Sequence, residues 1–135
     1  MSASLLGFIT YIFSLELLFG GQARLTPYLT PGVHKRAMSK AKGYQEHLSF
    51  LPIRDPTLHS KVIGGLMVSA GALLLWSKTR VVGAALGGLL AMAGVWAQSR
   101  MGIPFWLPCV NTALAGLIVS SAGELLVWVY IESSD

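Results

Sequence analysis

Apolar residues fall in four long runs, at about 4–19, 57–76, 81–97 and 105–130, with polar segments between them. A helix rises about 1.5 Å per residue, so roughly 20 apolar residues cross the ~30 Å hydrocarbon core of a bilayer. The pattern predicts an all-α, four-helix transmembrane bundle that makes one integral membrane domain of residues 1–135. Runs two and three reach the usual length only with their flanking residues, which predicts tilt or local thinning of the bilayer. Run one reads as a retained helix ended by Gly20-Gly21. No Lys or Arg precedes it, and Glu16 interrupts what would be the apolar centre of a signal peptide. Run three carries Gly83, Gly87 and Ala91 at four-residue spacing, the small-xxx-small pattern that lets helix backbones approach closely.

The long polar segment 22–55 has a helix of its own. Thr30-Pro31 is a helix start, with Thr as N-cap and Pro at the first helical position. Val33, Ala37, Ala41, Tyr44 and Leu48 then recur at helical spacing, while Lys35, Arg36, Lys40 and Lys42 fill much of the remaining surface. Two readings fit this stripe: an amphipathic helix lying on the membrane interface, or a solvated loop helix packed on the bundle. Residues 51–56 form an extended connector, and residues 77–80 and 98–104 form turns.

Composition agrees with a membrane protein. Apolar residues make up 53% and charged residues 12%, about half the roughly 25% charged share of soluble domains. The net charge of +4 is local, because seven of the ten Lys/Arg lie between Arg24 and Lys61. The positive-inside rule then puts the long segment in the cytoplasm and both termini on the lumenal or outer side. Trp76 and Trp128 fall at the lumenal interface on this topology, and Trp96 and Trp106 at the cytoplasmic one. No basic face interleaved with aromatics is present, so nucleic acid is not an expected partner. The lone Cys109 excludes an internal disulfide and reads as a small buried residue. His34, His47 and His59 have spacings that match no helical metal pair, and read as interfacial or solvated. With no phosphate loop, dinucleotide fingerprint or nucleophile elbow, no metal and no cofactor are expected.

The candidate chemistry lies in two carboxylates at membrane depth, Glu16 and Glu124. Each costs roughly 2.5–3.5 kcal/mol to insert and is a functional-site candidate for that reason. Thr112, Gly116, Ser120 and Glu124 share one helical face, small and polar, which should point into the bundle. A helical rise places Glu16 ~18 Å and Glu124 ~9 Å from the lumenal side. A direct carboxylate contact is therefore not implied, but a water or small substrate fits between them. Environments that split their pKa values would make one an acid and the other a base, in either order. Structural protonation or pairing with Ser120 is the competing reading of Glu124. Ser120, Asn111 and Tyr11 are candidate substrate-binding residues. Tyr11 lies about 140° around the helix from Glu16, which favours core packing. Asn111 can instead bond backbone freed by Pro108, and Arg24 is a headgroup anchor or a partner for Glu16.

Phe19-Gly-Gly-Gln-Ala-Arg-Leu-Thr-Pro27 is followed by a basic, Tyr-containing helix and then by His59-Ser-Lys-Val-Ile-Gly-Gly-Leu-Met-Val-Ser-Ala-Gly71. Over roughly residues 9–119 this resembles the DoxX-like family of small four-helix membrane proteins, and most of all the branch containing a chaperone of nicotinic acetylcholine receptors. The family commonly carries an acid soon after the Gly pair of span two, where this chain has Met67. A looser similarity is to four-span proteins of fungal metabolite pathways, some of them epoxide hydrolases. Two functions are carried forward. One is a membrane-embedded acid/base enzyme, a hydrolase or cyclase of secondary metabolism that opens an epoxide in a lipophilic molecule with Glu16 and Glu124. The other is a non-enzymatic chaperone or assembly factor, whose Gly-rich faces dock a partner membrane protein or a second copy. A lipid-facing carrier fits less well, since four short helices leave little room for a gated path.

Overall fold

The computed structural model describes the backbone of residues 2–134 and their side chains except Leu125, Leu126 and Trp128. The interfacial placement expected of Trp128 lies outside the described residues. Six helices follow one another: α1 (Ala3–Leu25), α2 (Pro31–Ser39), α3 (Ala41–His47), α4 (Pro56–Leu74), α5 (Arg80–Met101) and α6 (Trp106–Glu132). Of these, α1, α4, α5 and α6 are long and apolar enough to cross a membrane. They pack in a ring, α1 on α4, α4 on α5, α5 on α6, with a thinner contact from α6 back to α1.

The ends are set by local chemistry. Ser2 accepts from the Leu5 amide at the start of α1, and Asp55 accepts from the Thr57 amide before Pro56 at the start of α4. Gly102 closes α5 at φ 70°, a left-handed conformation that glycine adopts without steric cost. Its amide and that of Ile103 bond back to Ser99 and Gln98. Gly20-Gly21 does not end α1, which runs on to Leu25. The chain leaves the helix only at Thr26, the residue before Pro27, where helical backbone is disfavoured. The glycines serve packing instead. A Cβ on Gly21 would sit 2.7 Å from the Gly64 carbonyl oxygen, and one on Gly64 would sit 2.8 Å from that of Gly21. The two backbones cross at this point.

The same logic runs through the small residues of α5. Gly83 lies against Ala70 and Leu74 of α4, Gly87 against Phe13 and Leu17 of α1, and Gly88 against Ala115 of α6. Around them Phe13, Leu17, Ala70, Leu74, Ala84, Ala115 and Ile118 form the buried core. Ser14 and Thr10 are buried with it. Ser14 donates across helices to the Gly71 carbonyl at 2.7 Å, and Thr10 back-bonds to Leu6 at 2.7 Å.

The apolar stripe of the long segment faces the bundle. Its helix is broken at Lys40 into α2 and α3, and Ala41, Tyr44 and Leu48 are buried, the latter two with Ala97 of α5. The α3 half of the stripe packs on the bundle, while α2 has no buried residue. Thr30 precedes Pro31 as expected, but its hydroxyl does not cap α2; it accepts from Gln22 at 2.6 Å. His59 is neither interfacial nor solvated: it is fully buried, and its Nε2 donates to the Leu48 carbonyl at 3.1 Å. Cys109 is exposed rather than buried. Trp76, Trp96 and Trp106 are exposed, with the Arg100 guanidinium 4.4 Å above the Trp96 ring.

Candidate functional site

Glu16 and Glu124 sit in different surroundings. Glu16 is half-buried on α1 beside the core residues Phe13 and Leu17, and its Oε2 is fully enclosed without a hydrogen-bond partner among the described residues. The polar side chain that faces it is Asn111 of α6. The Asn111 Oδ1 is likewise enclosed and without a partner. No backbone N–H near Pro108 donates to it. Each of these two side chains thus keeps one enclosed oxygen without a donor among the described residues, at the place where α1 and α6 come together. Enclosed polar atoms almost always have partners, so such a pair marks a place where a proton, a hydroxyl or a ligand N–H belongs.

Glu124 is exposed, and so are Gly116 and Ser120. A Cβ at Gly116 or Gly123 would meet nothing within 4 Å. The small polar face of α6 therefore points out of the bundle, contrary to the inward orientation expected from it. The inward face is Pro108, Asn111, Ala115 and Ile118, at spacings of three, four and three. On the facing wall of α5, Gly88 lies directly against Ala115, where a Cβ on the glycine would come within 2.9 Å of the alanine methyl. Glu124 and Ser120 consequently do not share an enclosed site with Glu16. Tyr11 is 58% exposed, on the outer side of α1, so it neither packs in the core nor faces Glu16. Among the five expected site residues, the structure brings together Glu16 and Asn111.

Asn111 also opens onto a cavity of about 430 Å³, within the roughly 300–1,000 Å³ of small-molecule sites. Leu17, Ile63, Met67, Leu90 and Leu107 give it apolar walls, and Pro108 and Gly94 lie beside Asn111. Arg24, Arg36 and Lys40 line its other end, and Tyr44 and Gln98 line it as well, with the Gln98 amide nitrogen 4.0 Å from a Cβ built on Gly94, on the Pro108 side. The Gln98 amide donates to the Tyr44 hydroxyl at 2.7 Å, so that hydroxyl keeps its own proton to give. Arg24 donates to Ser60 at 3.2 Å and lies 4.6 Å from the centre of the Tyr44 ring. It does not reach Glu16, two turns away along α1 and turned toward α6. His34 closes this end by donating from Nδ1 to the Ala23 carbonyl at 2.7 Å.

Tyr44, Gln98 and Met67 as lining residues escape a reading of the sequence. The signals present were the buried place of Tyr44 in the stripe and the absence of an acid at position 67, but neither says that two helices leave a space there. No protein-family model, curated protein or solved structure matches this chain.

Proposed function

We propose that this chain is a membrane-embedded acid/base enzyme that acts on a lipophilic small molecule, by opening or cyclising an epoxide of the kind secondary metabolism makes. The observation that carries this reading is the enclosed Glu16–Asn111 pair beside an apolar-walled cavity. A carboxyl group at that position is a proton donor or acceptor for such a reaction. Asn111 positions a water against Glu16 by accepting one of its two hydrogens. Glu124 has no part in this site. The long segment on the cytoplasmic side and termini in the lumen of the endoplasmic reticulum would place the cavity mouth toward the cytoplasm.

The test is turnover of a panel of lipophilic epoxides by the chain in proteoliposomes. Glu16→Gln should abolish product formation with expression and folding intact, and Asn111→Ala should lower it by about 10–100-fold, the scale of losing a positioning group. Glu124→Gln should leave it unchanged. Equal turnover by wild type and Glu16→Gln would refute the proposal.

A specific observation also favours the chaperone or assembly reading. The exposed Gly116, Ser120 and Glu124 give α6 an outward face on which another helix could lie closely, with a carboxylate to bond. On this reading Gly116→Leu breaks a co-purifying complex and leaves the monomer folded. A complex unchanged by that substitution counts against it.

A further inference from the structure

The cationic end of the cavity has no task in proton transfer at Glu16. Arg24 is held there from two sides, by Ser60, which is fully buried, and by the ring of Tyr44, which is 6% exposed. Both partners are neutral. Arg36 and Lys40 come to the same space from α2 and its C-terminal end, and none of the cavity's lining residues is acidic. Three cations at one end of an apolar space repel each other, and a cation facing apolar walls loses hydration. An anionic group corrects both. The guanidinium is the side chain best shaped for one, since its fork of N–H donors matches carboxylate and phosphate oxygens. The Tyr44 hydroxyl, already accepting from Gln98, has its proton available for the same anion.

We infer that the cavity binds a single-chain anionic amphiphile, with its carboxylate or phosphate on Arg24, Arg36, Lys40 and Tyr44 and its apolar body along Met67, Leu90 and Leu107 toward Asn111. The charged and apolar ends of the space order the ligand head to tail. A volume of about 430 Å³ suits a single apolar body of drug size rather than a two-chain phospholipid. This deepens the enzyme proposal by naming the charge class of its substrate. It rests on that reading only for the claim that the bound molecule is turned over.

The experiment uses the full chain in nanodiscs of zwitterionic phosphatidylcholine, with cis-parinaric acid, a fluorescent fatty acid, as the probe. Wild type should bind it saturably, and dodecyl phosphate should displace it at least about tenfold more strongly than dodecanol, the effect of one charge-assisted contact. Arg24→Gln should weaken the probe by about tenfold or more. Arg36→Gln with Lys40→Gln, both at exposed positions, should weaken it by several fold and tests the inference if Arg24→Gln fails to fold. Lys78→Gln, on the far turn, should bind as wild type does. Dodecanol competing as well as dodecyl phosphate would overturn the inference, as would full affinity in the folded cationic-end variants. Displacement of the probe by phosphatidylglycerol added to the nanodisc would assign the site to a bilayer headgroup and overturn the single-chain assignment. No turnover is read here. Head-group discrimination by wild type together with undiminished turnover in Glu16→Gln would remove the acid/base reading and leave this one standing.

Discussion

The crossing of α1 and α4 should be intolerant of a single methyl group at Gly21. Its Cβ would lie 2.7 Å from the Gly64 oxygen, 2.7 Å from Val68 Cγ2 and 3.0 Å from the Val68 nitrogen. Two of those three atoms are backbone and cannot turn aside. Ordinary contact begins at 3.4 Å, so α1 and α4 must part locally by about 0.7 Å. Overpacking of this kind costs about 1–3 kcal/mol, whereas alanine's better helix propensity returns about 0.5–1 kcal/mol. The helices that part also carry the Ser14–Gly71 and Arg24–Ser60 hydrogen bonds, which lengthen with them. Gly21→Ala should therefore lose about 1–2 kcal/mol net, read as a lower midpoint when the detergent-solubilised chain is unfolded with SDS and followed by circular dichroism. Gly7→Ala is the internal control. Nothing lies within 4 Å of a Cβ there, and the substitution should be neutral or stabilising by up to about 1 kcal/mol. A Gly21→Ala midpoint at or above that of wild type would refute the close-crossing argument.

Other predictions use the same unfolding assay. Ser14→Ala removes a buried interhelical hydrogen bond of 2.7 Å and should cost about 0.5–1.5 kcal/mol; a neutral effect would mean that the Gly71 carbonyl finds another donor. His59→Ala empties a fully buried site and strips the Leu48 carbonyl of its donor, so it should cost about 2–4 kcal/mol. A loss below 1 kcal/mol would show that the connector between α3 and α4 is not pinned by His59. Glu124→Gln, at an exposed position, should change the monomer's midpoint by less than about 0.5 kcal/mol. A larger loss would place the carboxylate in an intrachain contact.

Much of the fold is legible in the sequence because hydrophobic length is a strong signal. Four apolar runs become four helices able to cross a membrane, and the Gly83–Gly87–Ala91 spacing lies on an inward face of α5. The end of α1 is not legible in the same way. Gly20-Gly21 looks like a stop when read alone and becomes a crossing point only once α4 brings Gly64 against it. The orientation of α6 fails for a related reason. A small polar stripe at Thr112, Gly116, Ser120 and Glu124 is equally suited to face a bundle interior or a neighbouring helix outside it, and the choice shows only where α5 meets α6, with Gly88 against Ala115. Glu16 could be found as a charge out of place. Its partner Asn111 could be named as polar and nearby, but the meeting of α1 with α6 is a property of the closed ring, not of either helix. The cavity is further from the sequence still, since it is defined by where side chains of all six helices stop.

The central claim is that a lipophilic molecule occupies the cavity beside Glu16 and Asn111. Its most direct test is photolabelling of the chain in nanodiscs with an alkyl-diazirine fatty acid, with the labelled residues mapped by mass spectrometry. The account predicts saturable labelling at Leu17, Met67, Leu90 and Leu107 that excess dodecyl phosphate abolishes. Labelling confined to outward residues such as Leu15, Leu89 and Leu117, undiminished by the competitor, would contradict it.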